Sequence, residues 1–219
     1  MSSSFKYLHK LQDKRVLIFG GSSGFGFAVA EALNLAVSRL KEQYPDTSLD
    51  QVTSLACDLA KLESLDTRLE ELLSKATNGG ANKIDHIVYT ADNTHRVPTV
   101  DKTTVEDVDL SLRLRAFSAS ILAKVAASTD YLSRSSGSSV TFTNGVSGHR
   151  PVKGWAIPAM AATALEVFLP KDILDMYAEQ TVLKALGTPE DIAEAYLYLM
   201  KDRYITGTIL FSDGGRRIA

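Results

Sequence analysis

The stretch from Arg15 to Leu33, RVLIFGGSSGFGFAVAEAL, limits what this chain can fold into more than any other. It opens on a short apolar run ending in glycine, which suits a strand buried on both faces of a parallel sheet. It closes on a helical pattern that puts Val29, Leu33, Val37 and Leu40 on one face. Between the two, Gly20, Gly24 and Gly26 stand in a GxxxGxG array. Glycine permits the tight turn and lets backbone approach a phosphate. The helix start adds free N–H groups and a partial positive charge. Ser22 and Ser23 supply further donors, and Phe25 lies inside the same turn. The bland reading is a glycine-rich turn and nothing more. A strand before it and a helix after it are the context that a dinucleotide-phosphate cradle requires.

The same alternation continues along the chain. QVTSLACDL reads as a second strand and LESLDTRLEELLSKA as an amphipathic helix closed by the NGG breaker. IDHIVYTA is a third strand, Glu106 to Ser128 is mostly helical, and SSVTFTNG is a fourth strand. The alanine-rich stretch from Gly154 to Glu166 reads as another helix. Thr188, Pro189 and Asp191 open a further one: a threonine cap, proline in the first turn and a carboxylate at the third position. GTILFSDGG reads as a last strand and turn. Repeated strand–helix alternation implies an α/β fold. The expectation is a three-layer Rossmann fold: a doubly wound parallel sheet with helices on both faces, forming one domain over 1–219.

Composition narrows the function classes. A formal net charge of −2 without a basic block argues against nucleic acid or an anionic membrane surface as a partner. One cysteine, Cys57, excludes an internal disulfide framework, and His9, His86, His95 and His149 lack metal-ligand spacing, so no metal is expected. No apolar run approaches the ~20 residues that span a bilayer. The polar start MSSSFKYLHKLQDKR lacks a signal-peptide core. A cytoplasmic protein with a small-molecule substrate is the expectation.

At this point the chain resembles the short-chain dehydrogenase/reductase family, fungal members in particular. GGSSGFG resembles its nucleotide loop, and CDL its adenine-contacting segment, with Asp58 and Leu59 at the cofactor. YTADN stands at its Asn-Asn-Ala-Gly motif, keeping Ala91 and replacing glycine by Asp92. GTPEDIAEAYLYLM and ITGTILFSDGG resemble its C-terminal helix and strand. The resemblance implies NADP(H) as cofactor, with NAD(H) not excluded, and a homodimer or homotetramer packed through the helix that contains LRAFSASILAKVAA.

The family's catalytic set is Asn-Ser-Tyr-Lys. Alignment by motif puts Arg115 at the asparagine site, Gly145 at the serine site, Pro158 at the tyrosine site and Ala162 at the lysine site. The usual proton relay therefore has no carrier. Hydride transfer is cofactor chemistry, and an iminium ion needs no tyrosine to protonate an oxygen. Arg115, a permanent cation with a planar donor fork, is the candidate catalytic group; its bland reading is an ion pair. Asp92, Ser147, His149 and Trp155 are candidate substrate contacts, against loop and packing readings. RPVKGW resembles a proline-glycine-tryptophan loop of fungal natural-product members, some of which reduce imines or template cyclisations. Three readings stand: an atypical reductase of a small secondary metabolite, a redox-silent cyclase, isomerase or sensor, and a non-catalytic scaffold.

The chain also falls short of the family pattern. A strand normally lies between the first helix and QVTSLACDL, ending in the residues that choose NADP over NAD. A second normally lies near Phe168 and Leu169. Either the sequence omits those parts, which the loss of core would favour, or the chain is a deletion form. In a deletion form residues 25–44 make one long helix and the strands flanking it pair directly.

Overall fold

The computed structural model describes residues 8–11, 13–22, 24–43, 53–92, 99–135, 138–143, 179–205 and 207–218. Three parallel strands run side by side in the order β1 (Val16–Phe19), β2 (His86–Tyr89), β3 (Ser139–Phe142). Val16 pairs with His86 and His86 with Ser139, so all three start in step. Asp85 fixes that start: its carboxylate accepts from Lys14 Nζ at 2.7 Å and from the Arg15 amide at 3.0 Å.

Period-two alternation along β2 divides the core between two helical layers. Ile87 and Tyr89 face a cluster with Leu65, Leu69 and Leu73 of α2 (Leu65–Ala76). Leu114, Leu122 and Val125 join it from a continuous helical stretch: α3 (Val105–Leu112), a π-helical turn (Arg113–Ser118) and α4 (Ala119–Ser128). Val88 faces the other layer, where Ala28 and Val29 of α1 (Gly24–Gln43) meet Ala193, Tyr196, Leu197 and Met200 of α5 (Pro189–Lys201). Helices therefore cover both faces of a parallel sheet, the doubly wound arrangement expected.

Local chemistry sets the boundaries. α1 begins at Gly24 in the left-handed region, φ +54°, directly off the glycine turn. α2 ends where Asn78, Gly79 and Gly80 all take positive φ, and Thr77 Oγ1 donates to the Leu73 carbonyl at 2.7 Å. α5 opens on the expected capping box, in which Thr188 and Asp191 satisfy each other's amides. The π turn has side-chain causes: Tyr89 Oη donates to the Leu114 carbonyl at 2.7 Å, and Ser118 Oγ shares its one proton between the Arg113 carbonyl at 2.8 Å and the Leu59 carbonyl at 2.5 Å, drawing backbone oxygens off the helical ladder.

Two expected strands do not form. Residues 53–60 of QVTSLACDL and residues 207–213 of GTILFSDGG are extended or bent without pairing. The reason is the same for both. In a doubly wound sheet of order 3-2-1-4-5-6 the third strand reaches the first only through the second. Among the described residues the sheet has three strands only, and neither segment has a neighbouring strand to pair with. A strand-forming sequence without a neighbour has no ladder to join. Among the described residues, 53–59 do not pair directly with β1 either, as a deletion form would allow. Ile209 and Leu210 are left 61% and 43% exposed. Among the described residues no helix is long and apolar enough to cross a membrane.

One buried ionisable group marks the strand starts. His86 is 1% exposed, with Nδ1 3.0 Å from Ser139 Oγ and Nε2 buried without a partner. Burial pushes its pKa below the ordinary 6.5, with Lys14 acting the same way and Asp85 against it. The unfolded chain therefore takes up the proton first as pH falls, and the stability held by neutral His86 is present above about pH 6.5 and lost below it. Urea midpoints between pH 7.5 and 5.5 are expected to fall more steeply for the parent protein than for His86→Gln. Equal slopes would remove His86 as the cause.

Candidate active site

The carboxyl ends of β1 and β2 come together where the sheet changes winding direction, the place where ligands bind in open α/β sheets. β1 ends in Gly20 at φ +86°, a conformation that suits glycine. A Cβ there would stand 2.8 Å from the Ala91 nitrogen and 2.9 Å from Thr90 Oγ1. Gly26 is tighter: a Cβ would overlap the Gly20 carbonyl and Thr90 Oγ1. Thr90 Oγ1 itself donates to the Phe19 carbonyl at 2.9 Å. Gly24 is different, because among the described residues a Cβ there would meet nothing within 4 Å. The turn is therefore packed tightly against the end of β2 on one side and open above Gly24 on the other. Phe25 is buried and Ser22 exposed. This is the shape a pyrophosphate needs: close backbone, a helix N-terminus and unobstructed space.

Asp92 and Arg115 meet beside the turn. Asp92 follows Ala91 directly after β2, and the π turn carries Arg115 towards it. Arg115 Nε donates to Asp92 Oδ1 at 3.0 Å and Nη2 to Oδ2 at 2.6 Å. Both side chains are buried, 4% and 8% exposed. The two parallel bonds fix the guanidinium plane. Arg115 is thus the ion-pair member of its bland reading and, at the same time, a fixed cation at the strand ends.

Asp58 and Leu59, expected at the adenosine half, belong to the segment that precedes α2. Asp58 is exposed, and its Oδ1 accepts from the Ala60 amide at 3.0 Å. Leu59 is buried, and its carbonyl accepts from Ser118 Oγ at 2.5 Å. Sequence reasoning did not find the side chains that hold this loop, Arg68, Arg113 and Ser118. One signal was present: Arg68 sits in the first turn of α2, where a cation opposes the helix dipole and must have another partner.

The described phenols nearest the strand ends are committed elsewhere. Tyr89 Oη is buried on the Leu114 carbonyl, and burial together with the Asp92 charge pushes its pKa well above the usual range. Tyr196 Oη is bonded to Thr143 Oγ1, and burial pushes its pKa up to about 12. Neither can replace the family tyrosine as an acid near neutral pH. Ser23, Ser147, His149 and Trp155 lie outside the described residues, as do Gly145, Pro158 and Ala162.

A glycine turn closed against the second strand of a doubly wound sheet defines a phosphate-cradling α/β protein. Comparison gives the family. A model of SDR-like Rossmann domains matches residues 7–176, and one described as enoyl-(acyl carrier protein) reductase matches 155–217. The chain belongs to the short-chain dehydrogenase/reductase family. It is 32% identical to the short-chain dehydrogenase/reductase ucsE of an Acremonium species, over 96% of this chain and 97% of the relative. It is 31% identical to malC of Malbranchea aurantiaca, over 94% and 95%. The solved structure of MalC reductase/Diels-Alderase from that organism superposes with a TM-score of 0.79 at 27% identity, covering 98% and 99% of the two chains. A small-chain dehydrogenase in complex with NADPH shares the fold at TM-score 0.69 and 22% identity. The ucsE alignment spans 260 positions against 219 residues here, so 260 less 219 leaves at least 41 positions of alignment without a residue in this chain.

The buried pair makes a stability prediction. Asp92→Ala removes the carboxylate that takes two hydrogen bonds from the buried Arg115 guanidinium and is expected to lower unfolding stability by about 3 kcal/mol. The double variant Asp92→Asn/Arg115→Met, which buries no net charge, should recover most of that loss in urea titrations. A double variant as unstable as the single one would contradict a coupled pair.

Proposed function

We propose that this protein binds NADP(H) in the glycine turn and reduces a small organic metabolite, an imine, iminium or activated carbonyl, without a tyrosine–lysine relay. The observation that carries the reading is the turn itself. Gly20 and Gly26 leave no room for a side chain on the β2 face, a Cβ at Gly24 would meet nothing among the described residues within 4 Å, and Asp92, which follows the Ala91 packed on the turn, holds the Arg115 guanidinium. The NADPH complex of a dehydrogenase with the same fold supports the cofactor. The relatives ucsE and malC support the reductase class.

When bound, NADPH supplies the hydride. The chain's own residues do the rest. Amides at the start of α1 hold the pyrophosphate, and the Asp58–Leu59 loop faces the adenosine half. Asp92 holds the Arg115 guanidinium at the strand ends, where it binds a carboxylate or polarises a carbonyl oxygen of the substrate. An iminium substrate already carries the charge that a phenol would otherwise create.

A second reading is favoured by one observation. The solved MalC structure is described as that of a reductase/Diels-Alderase. A cleft without the family's proton donor also suits cyclisation of a bound intermediate around a redox-silent cofactor. A pure scaffold is disfavoured, since it has no use for an open phosphate turn. We place the enzyme in the cytoplasm and expect a homodimer or homotetramer. Phe117, 44% exposed at the end of the π turn, supports helix-to-helix packing between copies.

Fluorescence titration with NADPH and NADH, followed by imine and ketone panels, tests the reading. Saturable NADPH binding with turnover is expected. Binding without turnover would favour cyclisation, and no binding would contradict the proposal. In Asp92→Asn/Arg115→Met, kcat/KM is expected to fall about 10²-fold, the scale of losing a charge-stabilising donor, with NADPH affinity nearly unchanged.

A further inference from the structure

Residues 58–63 have no strand ladder behind them, yet each of their carbonyls has a partner. Arg68 Nη1 donates to the Asp58 carbonyl at 2.8 Å, and its Nη2 donates to the Lys61 carbonyl and, at 3.4 Å, to that of Glu63. Arg113 Nη1 donates to the Ala60 carbonyl at 3.1 Å, and Ser118 Oγ to that of Leu59 at 2.5 Å. The remaining carbonyl, Leu62, accepts from the Leu65 amide at 3.1 Å. The donors come from two separate helices. Arg68 belongs to the first turn of α2, and Arg113 and Ser118 bracket the π turn that also carries Arg115. Arg113 is itself held by Asp109, with Nε 2.6 Å from Oδ2.

We propose that Arg68, Arg113 and Ser118 are positioning residues for the adenosine half of the dinucleotide: they set the 58–63 loop by side-chain donors in place of the strand pairing this chain lacks. The inference rests on the dinucleotide reading of the site and deepens it. Guanidinium donors to carbonyls are charge-assisted and hold geometry better than neutral ones. A loop preset in this way binds its ligand without an ordering penalty, whereas a loop released into solvent does not. Because Arg113 and Ser118 flank Arg115, the same π turn sets the 58–63 loop and carries the guanidinium that Asp92 holds.

The test compares two halves of the cofactor. Ligand-detected NMR on the full chain measures affinity for 2′,5′-ADP and for reduced nicotinamide mononucleotide, and fluorescence measures NADPH. Arg68→Met keeps the alkyl stem and removes the donors. It is expected to weaken 2′,5′-ADP and NADPH about ten-fold, the scale of one or two net hydrogen bonds, and to leave reduced nicotinamide mononucleotide within two-fold. Arg113→Met, which removes a single donor to the loop, should show the same selectivity at smaller size and decides the matter if Arg68→Met does not fold. Unchanged 2′,5′-ADP affinity, or equal weakening of both halves, overturns the inference while leaving cofactor binding intact. A parent protein that binds none of the three probes overturns the dinucleotide reading and this inference with it.

Discussion

The contact between the glycine turn and the end of β2 is the constraint on which the rest depends. Gly26 can sit in the first turn of α1 only because it has no side chain to strike the Gly20 carbonyl and Thr90 Oγ1. Thr90 in turn ties the β2 end to Phe19 of β1 through both its amide and its hydroxyl. This knot places Ala91 against the turn, and therefore Asp92 beside it. Asp92 then decides where the Arg115 guanidinium lies. The glycine turn and the buried Asp92–Arg115 pair are thus two outputs of one backbone packing event.

The same packing explains how the site tolerates an incomplete sheet. The β1–β2–β3 ladder carries the switch point, and the helical layers on its two faces bury their own apolar residues against it. Segments farther out lose their pairing when a neighbouring strand is absent, because a ladder transmits order only from strand to strand. The 53–60 segment remains seated through other means. Leu59 enters the core, Leu55 and Cys57 pack against it, and the loop carbonyls are taken by arginine and serine donors. Side chains there supply the hydrogen bonding that no strand supplies among the described residues.

Much of this was legible in the sequence. The apolar run before the glycines, the four leucines of α2 at helical spacing and the Thr188–Asp191 capping box each form what local chemistry dictates. QVTSLACDL and GTILFSDGG were misread for a physical reason: their residues favour extended structure, but pairing is a property of the neighbour, and propensity does not report a missing neighbour. The Asp92–Arg115 fork was half legible. Both residues stood out as departures from the family pattern, but only the π turn, produced by Tyr89 and Ser118 pulling on backbone carbonyls, brings them together. No periodicity in the sequence announces that turn. Arg68 was hidden in the same way, since an arginine on an amphipathic helix reads as solvated until its first-turn position is weighed.

Amide hydrogen exchange tests the central claim most directly, because it reads pairing segment by segment. Amides of 16–19, 86–89 and 139–142 should exchange slowest, near the global unfolding limit, while those of 53–58 and 207–212 exchange orders of magnitude faster. Protection of 53–58 equal to that of 86–89 would mean that the segment is a sheet strand after all, and would contradict a site built on the three-stranded ladder alone.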